Sequence, residues 1–226
     1  MPAPRSAWTS PDTVAGFVRS APNPVLMQFA AGELARVPHG VAVDIGCGAA
    51  RNAAPLVKAG WRVVGTDLSW PMLRATASRT HELELGDRLH VVLAPMEQIP
   101  VRDRSFDLVV AHGIWNLARC AAQFRRALDE AARVARPGAG LFVFTFSRNT
   151  FPASIAPVAG EPFVFTEFSG EPQCFLTEDQ LDAELRRVGF VRDPGVPIHE
   201  YNLPKPGMLP AGKAPVIYEA AFRREA

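Results

Sequence analysis

The chain has 226 residues, a net charge of +1, and 48% hydrophobic against 21% charged residues. This is enough for one α/β domain with a full core, and it gives no electrostatic case for a nucleic-acid or anionic-membrane partner. No apolar run approaches the ~20 residues of a membrane helix. The first eight residues lack the apolar stretch of a secretory leader, so a cytoplasmic protein is expected. Cys47, Cys120 and Cys174 have neither CxxC nor Cys/His metal spacing and read as reduced thiols, with no metal site.

In chain order, residues 9–37 read as two helical pieces, broken at Pro22 and Pro24. Residues 41–45 are a short β-branched run bounded by Gly40 and Gly46, the pattern of a buried strand. A helix over 49–59 closes at Gly60. A second strand over 62–66 precedes a helix over 70–80, with Ser69 as N-cap and Pro71 in its first turn. Strands follow at 89–93 and 106–111, then a long helix at 119–135, a turn at Pro137-Gly138 and a strand at 141–146.

The alternation stops at 148–176, where Pro, Gly, Phe and Glu dominate and short strands are expected near 163–165 and 174–176. Thr177-Glu178-Asp179-Gln180 approximates a capping box for a helix running to Val188, and strands begin at Phe190 and over 216–222. Such alternation predicts a doubly wound α/β fold: a mostly parallel, seven-stranded sheet with helices on both faces. The chain divides into an N-terminal helical lid (1–37) and a main domain (38–226), whose insert 148–176 is a candidate substrate cover.

Asp44-Ile45-Gly46-Cys47-Gly48 joins the first strand to its helix. Glycines there let the backbone approach a ligand, and the helix N-terminus offers unpaired N–H groups to an anion. A dinucleotide is one reading, but a Rossmann fingerprint wants a third glycine where this chain has Arg51. Asp67 ends the second strand about twenty residues on, the spacing at which a carboxylate reaches a ribose diol; its alternative role as a helix cap is already filled by Ser69. Met96 and Glu97, just after the third strand, stand where a main-chain N–H and a carboxylate can meet an adenine edge, or where the glutamate is merely solvated.

These features resemble the class I S-adenosylmethionine-dependent methyltransferases. The match is carried by Val43 to Gly48, Val64 to Ser69, Met96 to Pro100, Ser105 to Val110, Arg133 to Gly138 and Val188-Gly189-Phe190. The short length and the run Gly48 to Asn52 further resemble the small-molecule branch with tellurite-resistance and thiopurine enzymes. The resemblance implies S-adenosylmethionine as methyl donor and S-adenosylhomocysteine as product. Gly46 and Gly48 would lie against the methionine part, with Asp44 orienting the loop or the amino group. Asp67 would hold the ribose, Leu68 and Met96 with Glu97 the adenine, and Ala111, His112 and Gly113 would border the methyl group.

The run Ala111 to Asn116 departs from the Asn-Pro-Pro-aromatic pattern of many amino-group methyltransferases and holds no Pro-Cys nucleophile. A small-molecule acceptor is therefore expected, taken by a monomer or homodimer. Methyl transfer is an in-line displacement, so the protein chiefly aligns the acceptor and places dipoles. A general base is needed only if the acceptor is protonated; His112 is the candidate because imidazole titrates near neutrality, the alternative being that its side chain points away and only its backbone matters. Trp115 and Asn116 are candidates for a stacking wall and an orienting amide at the acceptor, with Trp115 as ordinary core the alternative. The insert's phenylalanines, at 151, 163, 165, 168 and 175, either line an apolar acceptor or pack the insert down. Cys47 reads as packing. An NAD-binding oxidoreductase and a non-catalytic cofactor-binding protein are the rival readings.

Overall fold

The computed structural model describes residues 7–203 and 214–225; residues 1–6 of the expected lid and 204–213 and 226 of the expected main domain lie outside the described residues. Two N-terminal helices, α1 (Pro11–Arg19) and α2 (Pro24–Arg36), lead into β1 (Val41–Ile45), α3 (Ala53–Ala59), β2 (Arg62–Asp67), α4 (Trp70–Glu82) and β3 (Leu89–Leu93). Then come β4 (Phe106–His112), α5 (Ala121–Val134) and β5 (Ala135–Phe146). The short pair β6 (Val164–Phe165) and β7 (Gln173–Cys174) precedes α6 (Glu178–Arg187), β8 (Phe190–Arg192), β9 (His199–Tyr201) and β10 (Ile217–Arg224).

The main sheet runs β3-β2-β1-β4-β5-β10-β8, with β9 also paired to β10. Strands β1 to β5 are parallel, while β10 is antiparallel to β5, β8 and β9. The sheet therefore has eight strands where the sequence suggests seven. The eighth arises because β8 and β9 pair with successive stretches of one edge, Phe222 to Arg224 and Ile217 to Glu219. Pro194 and Pro197 lie between them and have no N–H to give a ladder, so a single strand cannot run through.

Strand periodicity sorts the core into two layers. On one face, Ala42, Leu108, Val110 and Phe142 pack with Leu26, Phe29 and Ala30 of α2 and with Ala53, Ala54, Leu56 and Val57 of α3. On the other, Val43, Ile45, Val109, Leu141 and Val143 meet α5 and α6. The buried set of α5 (Ala121, Phe124, Ala127, Leu128, Ala131, Val134) recurs at steps of three and four, one apolar stripe of a helix. The expected capping box on α6 forms: Gln180 N donates to Thr177 Oγ1 at 3.2 Å, and Thr177 N donates to Gln180 Oε1 at 2.9 Å.

Two local expectations shift. The helix expected over 49–59 begins only at Ala53, because Ala50 takes a left-handed φ of +58° inside the preceding loop. The turn expected at Pro137-Gly138 is absorbed into a twelve-residue β5, whose register on β4 slips between Phe106 and Leu108.

Phe124 is fully buried, with ring centroids 6.3 Å from Trp115 and 5.2 Å from Phe163 in edge-on contacts. Phe124→Ala should cost about 3–5 kcal/mol, the usual loss for emptying such a site. Chemical denaturation checks this, with a lower midpoint and an unchanged slope expected.

Candidate functional site

The carboxyl ends of β1, β2 and β4 meet around the glycine turn. Gly46 has φ +71°, and a Cβ there would stand 2.7 Å from Ile114 Cδ1; Gly48 has φ +54°, with Phe17 Cδ1 3.1 Å from an added Cβ. A side chain is strained at both positions by the backbone conformation, and at Gly46 it would also run into Ile114. The turn is pinned from three directions. Cys47 N donates to Thr66 O at 2.9 Å, Thr76 Oγ1 of α4 donates to Gly48 O at 2.8 Å, and Gly48 N donates to Asp67 Oδ2 at 2.9 Å. The Cys47 thiol packs on Gly65, where a Cβ would come within 2.7 Å of Sγ. Burial, then the carboxylates of Asp44 and Asp67, push that thiol well up, which suits packing and not reactivity.

Asp44 is 2% exposed, and its Oδ2 is buried without a hydrogen-bond partner among the described residues. Burial, then Asp67, push its carboxyl up to about 7, with Arg51 and the Ala53 main chain pulling weakly the other way. Asp67 also titrates above its ordinary range because it is desolvated, despite taking Ser69 N on Oδ1 at 2.7 Å and Gly48 N on Oδ2. Beside it, Leu68 is 68% exposed, an apolar side chain left open at the strand end.

Beyond β3, Met96 is buried in the core, while Glu97 Oε1 accepts from Gln123 Nε2 of α5 at 3.1 Å. At the end of β4, Ala111 is buried and Gly113 N donates to Phe144 O at 2.7 Å. The half-buried His112 ring stacks on Phe144, centroids 4.1 Å apart and planes 9° off parallel. Burial and then the Arg51 charge push its pKa down to about 4. The ring expected to titrate near neutrality is thus neutral and a weak base.

Trp115 and Asn116 are both buried: Trp115 lies in the core around Phe124, and Trp115 Nε1 and Asn116 Oδ1 have no hydrogen-bond partner among the described residues. The insert's aromatic residues resolve toward packing: Phe151, Phe165, Phe168 and Phe175 meet one another and Phe146 in edge-on or tilted contacts, and Phe163 meets Phe124 edge-on. The N-terminal segment divides. Helix α1 places Phe17 over Gly48, and Ser69 Oγ donates to Trp8 O at 2.8 Å, whereas α2 is part of a core layer.

Several site residues escape the sequence. Asn23 caps α2, with Leu26 N donating to its Oδ1 at 2.9 Å, and donates through its own N–H to Asn52 Oδ1 at 3.0 Å. Its Nδ2 donates to Glu219 Oε2 at 2.5 Å and lies 3.3 Å from His112 Nε2. The Asn-Pro pair could have announced the cap. Glu219, 196 positions away, gave no signal. Arg51, where a third Rossmann glycine would stand, donates to Ala21 O at 2.8 Å and ties the turn to the α1–α2 connection.

A family model described as a methyltransferase domain matches residues 43–144. The demethylmenaquinone methyltransferase of Lactiplantibacillus plantarum is 32% identical over 167 residues, covering 66% of this chain and 69% of that protein. The Corynebacterium kroppenstedtii enzyme of the same name is 36% identical over 111 residues, 49% of this chain and 43% of its own length. Among solved structures, the Burkholderia thailandensis 1,6-didemethyltoxoflavin-N1-methyltransferase, with bound 1,6-didemethyltoxoflavin and S-adenosylhomocysteine, superposes with a TM-score of 0.64. It shares 19% identity, over 88% of this chain and 78% of that one, and so attests the fold.

The raised Asp44 pKa makes a stability prediction. A carboxyl raised to about 7 from 3.8 favours the folded state below its unfolded pKa, and that contribution is lost as pH rises through about 7. Relative to Asp44→Asn, the wild-type ligand-free protein should therefore lose stability between pH 5 and 7, at up to about 1.4 kcal/mol per pH unit. Denaturant unfolding of both proteins across that range measures the difference.

Proposed function

From the premise that this chain belongs to the class I S-adenosylmethionine-dependent methyltransferases, we propose that the glycine turn, Asp44 and Asp67 hold its cofactor. The observation that carries the assignment is Asp44: a buried carboxyl with one unpartnered oxygen, beside a turn where a Cβ at Gly46 would run into the Ile114 side chain. Such a group wants a cationic donor, and the α-ammonium of the methionine part is one. The residues fit the group.

In this reading Gly46 and Gly48 let the main chain close on the methionine part, and Asp44 takes its ammonium. Asp67, anchored by the Gly48 and Ser69 N–H groups, offers its remaining lone pairs to the ribose diol. The exposed Leu68 covers one adenine face, with the Met96 main chain and Glu97 at its edge. Bound S-adenosylmethionine supplies a methyl group already activated by the sulfonium charge. The chain's task is to align the acceptor and to keep acceptor dipoles near Ala111, His112 and Gly113, where weak CH···O contacts are a minor aid. Helix α1, with Phe17 on Gly48, serves as lid. The segment 148–176 covers the acceptor by its position after β5, its aromatic residues bracing it from within.

The acceptor is a small molecule, and the names of the relatives make a demethylmenaquinone-like compound the first to test. None of the helices described is long and apolar enough to cross a membrane. The near-neutral net charge fits an acceptor that is neither nucleic acid nor membrane. We place the protein in the cytoplasm, as a monomer or homodimer.

Calorimetric titration with S-adenosylhomocysteine tests the assignment. Asp67→Ala should weaken binding by about 1–3 kcal/mol, the scale of lost hydrogen bonds to a charged group. Unchanged affinity would remove Asp67 from the ribose role.

A further inference from the structure

Six carboxyl side chains are buried among the described residues: those of Glu33, Asp44, Asp107, Glu184, Asp193 and Glu219. Four of them meet an arginine. Arg223 pairs with Glu33 at 2.7 Å and with Asp193 at 2.5 Å, Arg136 with Asp107 at 2.6 Å, and Arg125 with Glu184 at 2.6 Å. Asp44 and Glu219 have no such partner. Asp44 stands at the glycine turn, where a cationic ligand is already called for. Glu219, on β10 and 3% exposed, raises the same question in a different place.

Its hydrogen bonds come from neutral groups. Tyr201 Oη donates to Oε1 at 2.6 Å, and Asn23 Nδ2 donates to Oε2 at 2.5 Å. The first bond pushes the Tyr201 hydroxyl up to about 12, as befits a donor held by a carboxylate. Two neutral donors satisfy the oxygens but leave the charge without a counterion, and a carboxylate keeps further lone pairs for other donors.

Glu219 is also not sealed in. It lines a cavity of about 610 Å³ between α2 and the β8–β9 edge, within the size range of small-molecule sites. The other acidic and arginine side chains on that wall, Glu33, Arg36, Asp193 and Arg223, are two of each sign and pair with one another. Glu219 is the acid left over. The rest of the wall is largely apolar and aromatic: Phe29 of α2, Val196 and Pro197 between β8 and β9, and Tyr201, with the His199 ring edge-on to it at 4.3 Å. No lining residue belongs to the glycine turn, to β4 or to the segment 148–176, so this cavity is separate from the cofactor cleft.

We propose that this cavity is a second ligand site, taking a small organic cation whose ammonium group meets Glu219 and whose apolar body lies against Phe29, Val196 and the Tyr201 ring. The ammonium supplies the charge that Glu219 lacks, through N–H bonds to its free lone pairs. The aromatic wall favours the same ligand, since a ring face attracts a cation and an apolar body gains by leaving water. Asn23 joins the back of the site to the end of β4, because its Nδ2 lies 3.3 Å from His112 Nε2 while donating to Glu219.

Calorimetric titration of benzylamine into the ligand-free protein tests the site, with benzyl alcohol as its neutral counterpart. The amine should bind at least about tenfold more tightly than the alcohol, the scale of a hydrogen bond to a charged group. In histidine-labelled protein the His199 ring signal, assigned by its absence in His199→Gln, should move as the amine is added. Glu219→Gln can keep both bonds, its amide donating to Tyr201 Oη and accepting from Asn23 Nδ2, yet it should weaken the amine by about tenfold to a hundredfold. Asp44→Asn should leave amine binding unchanged, which separates this site from the glycine turn.

No amine binding, equal affinity for amine and alcohol, or a His199 signal that does not move would overturn the proposal on the wild type alone. Full affinity in Glu219→Gln, or loss of binding in Asp44→Asn, would overturn it as well. All of these readings are taken without cofactor, so they stand apart from the cofactor assignment.

Discussion

Asp44 is a carboxyl near the end of β1, paired into the sheet between β2 and β4 and closed off from water, with one oxygen left without a partner. An unpaired buried charge is expensive, and proteins more often neutralise it than sustain it. Here the cost falls at the topological switch point, where the chain order runs outward through β2 and β3 on one side and through β4 and β5 on the other. The glycine turn, Arg51 and the start of α3 are all arranged around that carboxyl. The ligand-free fold leaves it uncompensated, which is the condition for a cation to bind there and release the strain.

The same desolvation acts in the opposite sense on the neighbouring strand β4. It lifts the acid at Asp44 to about 7 and depresses the base at His112 to about 4, so near pH 7 His112 is neutral and Asp44 is divided between its acid and carboxylate forms. The site is thus preorganised more by dipoles and fixed donors than by titrating groups. That suits a displacement whose reactant brings its own charge, because little reorganisation is left to the protein as charge disappears. The buried thiol of Cys47 belongs to this picture as filling, wedged on Gly65 so that β2 and the turn stay close.

What the sequence disclosed was local. The β1 run, the turn at Gly46 and Gly48, Asp67 at its strand end and the Thr177 capping box are each written in a few consecutive residues, and each formed. The helix after the turn was misplaced because an alanine-rich run reads as helix, while Ala50 takes a left-handed conformation that only the loop's tertiary bonds justify. Trp115 and Asn116 follow β4 directly, but adjacency along the chain does not say which way a side chain faces, and both turn inward. The neutrality of His112 was illegible for a stronger reason. It depends on burial, with Phe144 stacked on the ring, and on the charge of Arg51 from the glycine turn, which only the finished fold brings together.

The central claim is that a cationic ligand binds by ionising Asp44, and proton linkage measures this directly. Calorimetric titration of S-adenosylhomocysteine at pH 6 to 6.5, repeated in buffers of different ionisation enthalpy, counts the protons released on binding. The account predicts that the wild type releases a substantial fraction of one proton more than Asp44→Asn, the difference fading above pH 8. An equal proton count in the two proteins would contradict it.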